Sequence, residues 1–503
     1  DFVEHPYDNR IAYILTRSTK HYTTRDRGHT WHSFEVPMPP TWSPHPLSFH
    51  ASPEKAGYVL YQGTRCVERS TYGCQRETFY TTDGFSTEPK SLLNFTLACL
   101  FTGEPDSIEH QDLIVCHHRP GSSYPDDGSV LLASSDFFIE DIREIDFEAG
   151  PRARRSVLSF SQVNRFLTAI VLSDRGDYGY DTVAYVTTDM KQWKKAHLPY
   201  NTEFRLRTQF KSVGDITQAL AIGVPSRLSR HLAGLFVSDT SGTYYVESLK
   251  HMHQLFSGTV DFRLLQDLSG IALANQVDNA REIQYDYNVE PKLQTLACAL
   301  HLHLNPEAHN PPTPPGFILG VGSVSKTLLP YEECDTYLSR DTGNSWIQVQ
   351  HGAHKHAFGD SGNIVVLVND EEPTDHVRYS TDAGVSWQKL KLDVTIRVHL
   401  LTTAPGATSQ QFMLIGTLPH NHNDNRIAVV HLDFSQIQTR QCTENDVEKW
   451  YAQGRETDCV MGEKVFLTLG FSFGSLISFL SNGPGGESLR GIATWVLHLR
   501  CAG

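Results

Sequence analysis

At 503 residues the chain is long enough to bury a large core, and its 36 Gly, 25 Pro and 20 Tyr are the composition of a protein rich in turns and short strands. The formal charge of -14 argues against a nucleic-acid partner. We expect an all-β fold.

In chain order, residue 1 stands directly before a predicted strand, Ile11 to Arg17, with no charged and apolar leader ahead of it. A signal peptide is therefore expected to be absent or removed. Next comes Thr24-Arg25-Asp26-Arg27-Gly28-His29-Thr30-Trp31, a sentence that returns as Ser339-Arg340-Asp341-Thr342-Gly343-Asn344-Ser345-Trp346 and again as Ser380-Thr381-Asp382-Ala383-Gly384-Val385-Ser386-Trp387. The last two copies are about 40 residues apart, the length of a four-stranded propeller blade. This motif, the Asp-box, suits a tight β-hairpin. Asp accepts backbone N–H groups of the turn, Gly supplies positive φ, and Trp lies under the turn as an apolar peg. Asp26, Asp341 and Asp382 are accordingly read as structural rather than catalytic or metal-binding. A copy one residue short runs from Tyr185 through Asp189 to Trp193, and worn copies surround Asp83, Asp136 and Asp239.

The nine cysteines point to an oxidising compartment. They group as Cys66/Cys74, Cys99/Cys116, Cys298/Cys334 and Cys442/Cys459, with Cys501 left over and no zinc-type spacing. We expect Cys298 to be bonded to Cys334. Asn94-Phe95-Thr96 is a glycosylation sequon, which agrees with a secreted or luminal setting.

Other tempting stretches have plainer readings. Arg152-Ala153-Arg154-Arg155 is a solvated loop that a processing protease could cut, and Arg175-Gly176-Asp177 is a polar turn. His301/His303 and His354/His356 are i, i+2 pairs without a third ligand, so no metal is assigned. Gly470-Phe471-Ser472-Phe473-Gly474 fits a nucleophile elbow only if a strand-to-helix turn surrounds it. Val465 to Leu480 is apolar but shorter than the roughly 20 residues of a membrane span.

Several runs resemble the sortilin family, and most closely its fungal vacuolar sorting receptors. They are Tyr331-Glu332-Glu333-Cys334-Asp335-Thr336-Tyr337-Leu338-Ser339, then Gly352-Ala353-His354-Lys355, Phe358-Gly359-Asp360 and Asp370-Glu371-Glu372-Pro373-Thr374-Asp375. Cys442-Thr443-Glu444-Asn445-Asp446-Val447-Glu448-Lys449-Trp450 and Cys459-Val460-Met461-Gly462-Glu463-Lys464 resemble the opening of the cysteine-rich module that follows the propeller in that family.

The resemblance implies a ten-bladed Asp-box β-propeller over residues 1–440, the start of the cysteine-rich module over 441–464, and a divergent tail over 465–503. It also implies peptide or protein cargo, such as soluble vacuolar hydrolases of the carboxypeptidase Y kind, held in a central tunnel. The setting would be the lumen of Golgi and endosome. A membrane anchor would come only from segments absent here, and neither enzyme activity nor cofactor is implied. After Thr295 the expected Asp-box hairpin is missing, so one blade is expected to be incomplete and the tunnel contacts are not carried over. Sialidase-type glycosidases share Asp-boxes but require an arginine cluster, and Phe204-Arg205-Leu206-Arg207 reads only as a charged strand. A secreted adhesion or decoy propeller is the third class. Protonating the 25 histidines would reverse the formal charge, so cargo is expected to be held at neutral pH and released in acid, with His354 and His356 as first candidates.

Overall fold

The computed structural model describes residues 2–41, 46–66, 74–103, 112–119, 128–147, 155–172, 182–199, 209–212, 220–226, 229, 231–255, 260–265, 271–285, 300–304, 313–314, 316–325, 328–343, 345–419, 427–437, 447–451, 466–472, 475–479 and 495–497. Two compact units divide the chain. One comprises Asp1–Ser212 with Ser238–Val246, the other Val213–Val237 with Glu247–Gly503.

In the first unit, successive antiparallel meanders of four strands follow one another along the chain. Blade one is β1–β4 (Phe2–Glu4, Ala12–Ile14, Lys20–Thr24, His32–Glu35) and blade two is β5–β8 (Leu47–Phe49, Val59–Cys66, Cys74–Thr81, Lys90–Asn94). Blade three is β9–β12 (Thr96–Phe101, Ile114–His118, Val130–Ser134, Arg143–Glu144). Blade four is β13–β16 (Val157–Val163, Phe166–Leu172, Thr182–Thr187, Lys194–Lys195). A fifth meander follows, β17–β20 (Gln209–Ser212, Leu220–Pro225, Leu232–Ser238, Tyr245–His253).

The second unit continues with β21 (Phe262–Leu264), β22 (Ile271–Ala274) and the single-turn helix α1 (Ala280–Tyr285). The meander β23–β26 (Leu300–Leu302, Ile318–Val324, Asp335–Ser339, Ile347–Gln350) precedes β27–β30 (His354–Gly359, Ile364–Asn369, Thr374–Ser380, Gln388–Thr403). Strand β30 has 16 residues. Its first half closes that meander, and its second half pairs with β31 (Gln411–Thr417), which pairs with β32 (Ile427–Asp433).

The fold is therefore an all-β, Asp-box β-propeller, and the described residues hold seven complete four-stranded blades where the family resemblance implies ten. Among the described residues the other strands group differently: β31 and β32 pair onto β30 of the preceding blade, and β21–β22 is a shorter grouping.

Blade packing explains why the central strands read as unbroken apolar runs rather than alternating ones. In β6, Val59 and Tyr61 face a cluster shared with Tyr13, Leu15 and Phe34 of blade one. Leu60, between them, faces Phe101, Ile114 and Cys116 of blade three. In β28 the same division sends Ile364, Val366 and Val368 to one cluster and Val365 and Leu367 to another. A strand covered on both faces has no solvent side, so alternation survives only as a choice between two neighbours. Each such side chain contributes about 1.5–3 kcal/mol by burial.

Candidate functional site

The Asp-box turns share one hydrogen-bond scheme. In blade one, the Thr24 hydroxyl donates to Asp26 Oδ1 at 2.8 Å and accepts the Gly28 N–H at 2.9 Å. Asp26 then takes the Thr30 N–H at 2.9 Å and the Thr30 hydroxyl at 2.5 Å, and Trp31 Nε1 donates to Gly28 O at 3.1 Å. Ser339, Asp341, Gly343, Ser345 and Trp346 repeat every one of these bonds, with Trp346 buried. Ser380, Asp382, Gly384 and Ser386 repeat the clamp, and Trp387 packs partly buried beneath it.

Shortened and worn copies keep the Asp. Asp189 accepts the Lys191 and Gln192 N–H groups at 2.9 Å, with Trp193 set edge-on to Phe147. Asp83, Asp136 and Asp239 each accept turn N–H groups in the same way.

Both oxygens of Asp26 and of Asp136 are bonded within their own turns, and those bonds favour the ionised carboxylates. The Thr30 hydroxyl and N–H hold Asp26 down to about 2, and N–H groups led by that of Asp141 hold Asp136 at about 2. A carboxylate this far below neutrality and this fully bonded serves neither as a general acid nor as a base.

The sequence reading missed two parts of the motif. One is the Ser/Thr hydroxyl, which bridges Asp to the turn N–H. The other is a second left-handed residue: Arg27, Thr342 and Ala383 have φ near 60° just before Gly28, Gly343 and Gly384 at 82–90°. Two consecutive left-handed residues make the type I′ turn that matches strand twist.

Cysteines behave in two ways. Cys66–Cys74 and Cys99–Cys116 are disulfides between directly opposed residues, the first in β6/β7 and the second in β9/β10. Cys334, however, is a free buried thiol whose Sγ donates to Leu329 O at 3.5 Å, which corrects the expectation of a bond to Cys298. It is sealed among Val321 and Ala353, and burial pushes the thiol up to about 11. Cys298, Cys442, Cys459 and Cys501 lie outside the described residues, as do Arg152–Arg154, Arg175–Asp177, the 204–207 stretch and the break after Thr295. Asn94 is exposed at the end of β8.

Four histidines of the first unit sit at blade junctions. His5, His21 and His50 each accept a nearby N–H at Nδ1, from Tyr7, Thr16 and Ser52 respectively. Their Nε2–H groups then reach the next blade, at Ala56 O, Tyr61 Oη and Asp112 Oδ1. His117 Nε2 bonds Val157 O at 3.1 Å. Burial lowers all four, and His21 and His117 fall to about 4.

In the second unit, Nε2 of His301 and of His303 bonds the carbonyls of Ser325 and Leu329. His354 Nδ1 bonds Gly352 O, and His356 is edge-on to Phe358. Burial lowers His301, His303 and His354 as well. Buried rings such as these resist protonation, so the full protonation of all 25 histidines, which sets the upper limit of the charge change, is not reached in mild acid. Ser472 ends a strand, Phe466–Ser472, that pairs back on Ser475–Phe479, so the strand-to-helix turn of a nucleophile elbow is not formed there.

The family described as "Sortilin, neurotensin receptor 3" matches residues 1–297 and 284–401, and its C-terminal counterpart matches 403–468. The vacuolar protein sorting/targeting protein 10 of Laccaria bicolor is 38% identical over 502 residues, covering 90% of this chain and 34% of that protein. Its namesake in Mycosarcoma maydis is 33% identical, covering 92% and 34%. The chain thus spans about a third of the length of the curated relatives it matches. Among solved structures, a GH74 enzyme of Niastella koreensis is similar with 13% identity and a TM-score of 0.36, over 82% of this chain and 68% of that one, a level that carries nothing about activity. The propeller and C-terminal segments match in order along most of the sequence, and the chain belongs to the sortilin–Vps10 family.

Proposed function

We propose that this chain is the cargo-binding part of a sorting receptor that carries soluble hydrolases of the carboxypeptidase Y kind from Golgi to endosome and vacuole. The observation that carries this reading is the ordered match of both family segments together with relatives named for vacuolar protein sorting. The Asp-box carboxylates support a binding role over a catalytic one, since each is consumed by its own turn. In this reading the propeller runs over 1–440, the cysteine-rich module opens over 441–464, and 465–503 is a tail outside the family fold. The protein works on the luminal side as a non-enzymatic, single-pass type I receptor whose anchor lies in other segments.

The test is deletion of the gene in its host, with vacuolar carboxypeptidase activity measured in medium and in cells. Sorting by this receptor predicts that the hydrolase is secreted. Unchanged retention in the vacuole rules the role out.

A further inference from the structure

Blades one and two of the first unit enclose a cleft of about 330 Å3 lined by Asp8, Arg10, Tyr13, Arg25, Glu54 and Gly84, among others. Tyr13 is 1% exposed, and its ring is fixed edge-on to Phe34 and Phe85. Within the described residues its hydroxyl makes no hydrogen bond. Burial raises the phenol to about 12, against the opposing charge of Arg25, so it is a neutral donor at physiological pH.

Arg25 spans the two blades. Its Nη2 donates to Asp83 O at 2.7 Å, Gly84 O at 3.4 Å and Ser86 Oγ at 3.2 Å, while Nε and Nη1 make no hydrogen bond among the described residues. No carboxylate pairs with it among the described residues. Arg10, by contrast, is committed to Asp8 through Nε at 3.0 Å and Nη2 at 2.8 Å.

Phenol and guanidinium converge over Gly84. A Cβ at that position would stand 2.8 Å from Arg25 Nη2 and 3.7 Å from Tyr13 Oη, so only glycine leaves the space between them open. Among the described residues the cleft therefore presents, at one point, a cation with no carboxylate partner and a neutral donor with no acceptor. Its formal charges cancel, since Asp8 and Glu54 balance Arg10 and Arg25. Arg25, which has no carboxylate partner among the described residues, and the Tyr13 hydroxyl suit a single negative charge on a ligand, and Glu54 suits an N–H donor. An aspartyl or glutamyl residue within a peptide carries both, and the volume lies at the small end of ligand pockets, suited to about one residue.

We propose that this cleft is a carboxylate-binding site that takes one acidic residue of a peptide. The inference stands apart from the sorting role, because no cargo enters its test.

The test is a ligand-observed NMR titration of the intact chain with N-acetyl-aspartyl amide, N-acetyl-asparaginyl amide and inorganic phosphate. The aspartyl probe is expected to bind saturably and the asparaginyl probe about tenfold more weakly, as charge-assisted bonds exceed neutral ones. Tyr13→Phe keeps the fold, since the hydroxyl has no partner to lose, and is expected to weaken the aspartyl probe about three- to tenfold, the effect of one hydrogen bond. Gly84→Ala, which fills the cradle, is expected to abolish binding. Four results would each overturn the proposal: no saturable binding, equal binding of the two amides, an unchanged affinity in Tyr13→Phe, or phosphate that displaces the aspartyl probe while binding more tightly.

Discussion

His21 and Tyr61 lie on neighbouring blades and share a hydrogen bond of 3.1 Å that fixes both protons. Because His21 Nδ1 accepts the Thr16 N–H at 3.1 Å, its proton resides on Nε2 and is given to the Tyr61 oxygen. Tyr61 in turn donates to Met38 O at 2.9 Å. A second proton on His21 would set Nδ1–H against the Thr16 N–H, donor against donor.

That conflict gives the first prediction, on acid stability. His21 and His117 titrate near 4 when folded and near 6.5 when unfolded, so between those values the unfolded chain binds more protons. Stability is therefore complete above about pH 6.5 and falls as pH drops through that window, by on the order of 1–2 kcal/mol per ring at pH 5. Thermal unfolding followed from pH 7.5 to 5 should show the midpoint falling. His21→Gln should lower the midpoint at neutral pH and flatten its pH dependence. A profile of wild-type slope in that variant would refute the assignment.

A second prediction concerns thiol access. Cys66 is exposed at the end of β6, whereas Cys99 and Cys116 are fully buried between blades two and three. Mild reductant followed by alkylation and peptide mapping should label Cys66 and Cys74 well before Cys99 and Cys116. Cys334, buried and held to the thiol form, should be labelled only after unfolding. Early labelling of Cys334 in the native protein would contradict its burial.

Much of this architecture was legible because it is local. The Asp-box spans eight or nine residues, and its Asp, Gly and Trp each answer a need of the turn that can be read without neighbours. The bonds of His5, His21, His50 and His117 were not legible because their partners come from the next blade. His21 and Tyr61 are 40 residues apart, and so are His117 and Val157. A search for polar residues separated by one blade period would have found that signal. Arg25 and Gly84 were invisible for the same reason, since one Asp-box reads simply as Arg beside Asp and the other as Gly in a turn. Cys334 was misassigned because grouping along the sequence ignores burial, which here leaves the thiol sealed among apolar side chains.

The sequon supplies a third prediction, which rests on the proposed luminal setting. Asn94 is exposed and Phe95 beside it is 48% exposed, so a glycan has room and an apolar surface to cover. Thr96, by contrast, is buried, and its hydroxyl lies 2.7 Å from that of Thr78. Asn94→Gln should remove one glycan, seen as a mobility shift that matches glycosidase treatment, with little change in stability. Thr96→Val should remove the same glycan and also cost about 1–3 kcal/mol, because Thr78 loses its buried partner. Identical mobility of wild type and Asn94→Gln from a secretory host would show that the site is unused.

The last prediction separates two glycines that the motif treats as equals. Gly343 and Gly384 occupy the same Asp-box position with φ of 90° and 82°, so alanine at either pays the left-handed penalty of about 1–2 kcal/mol. Their surroundings differ. A Cβ at Gly343 would meet Ile318, Leu273 and Trp346 at 3.6–3.7 Å, ordinary contact, whereas one at Gly384 would stand 2.4 Å from Leu338 Cδ2. Leu338 is 1% exposed in a cluster shared by two blades, so it has little room to yield, and overpacking there adds about 1–3 kcal/mol. Gly384→Ala should therefore lower stability in denaturant by clearly more than Gly343→Ala, and Leu338→Ala in the Gly384→Ala background should cost less than Leu338→Ala alone. Equal losses for the two glycine variants, with no coupling to Leu338, would mean that backbone strain alone sets the cost.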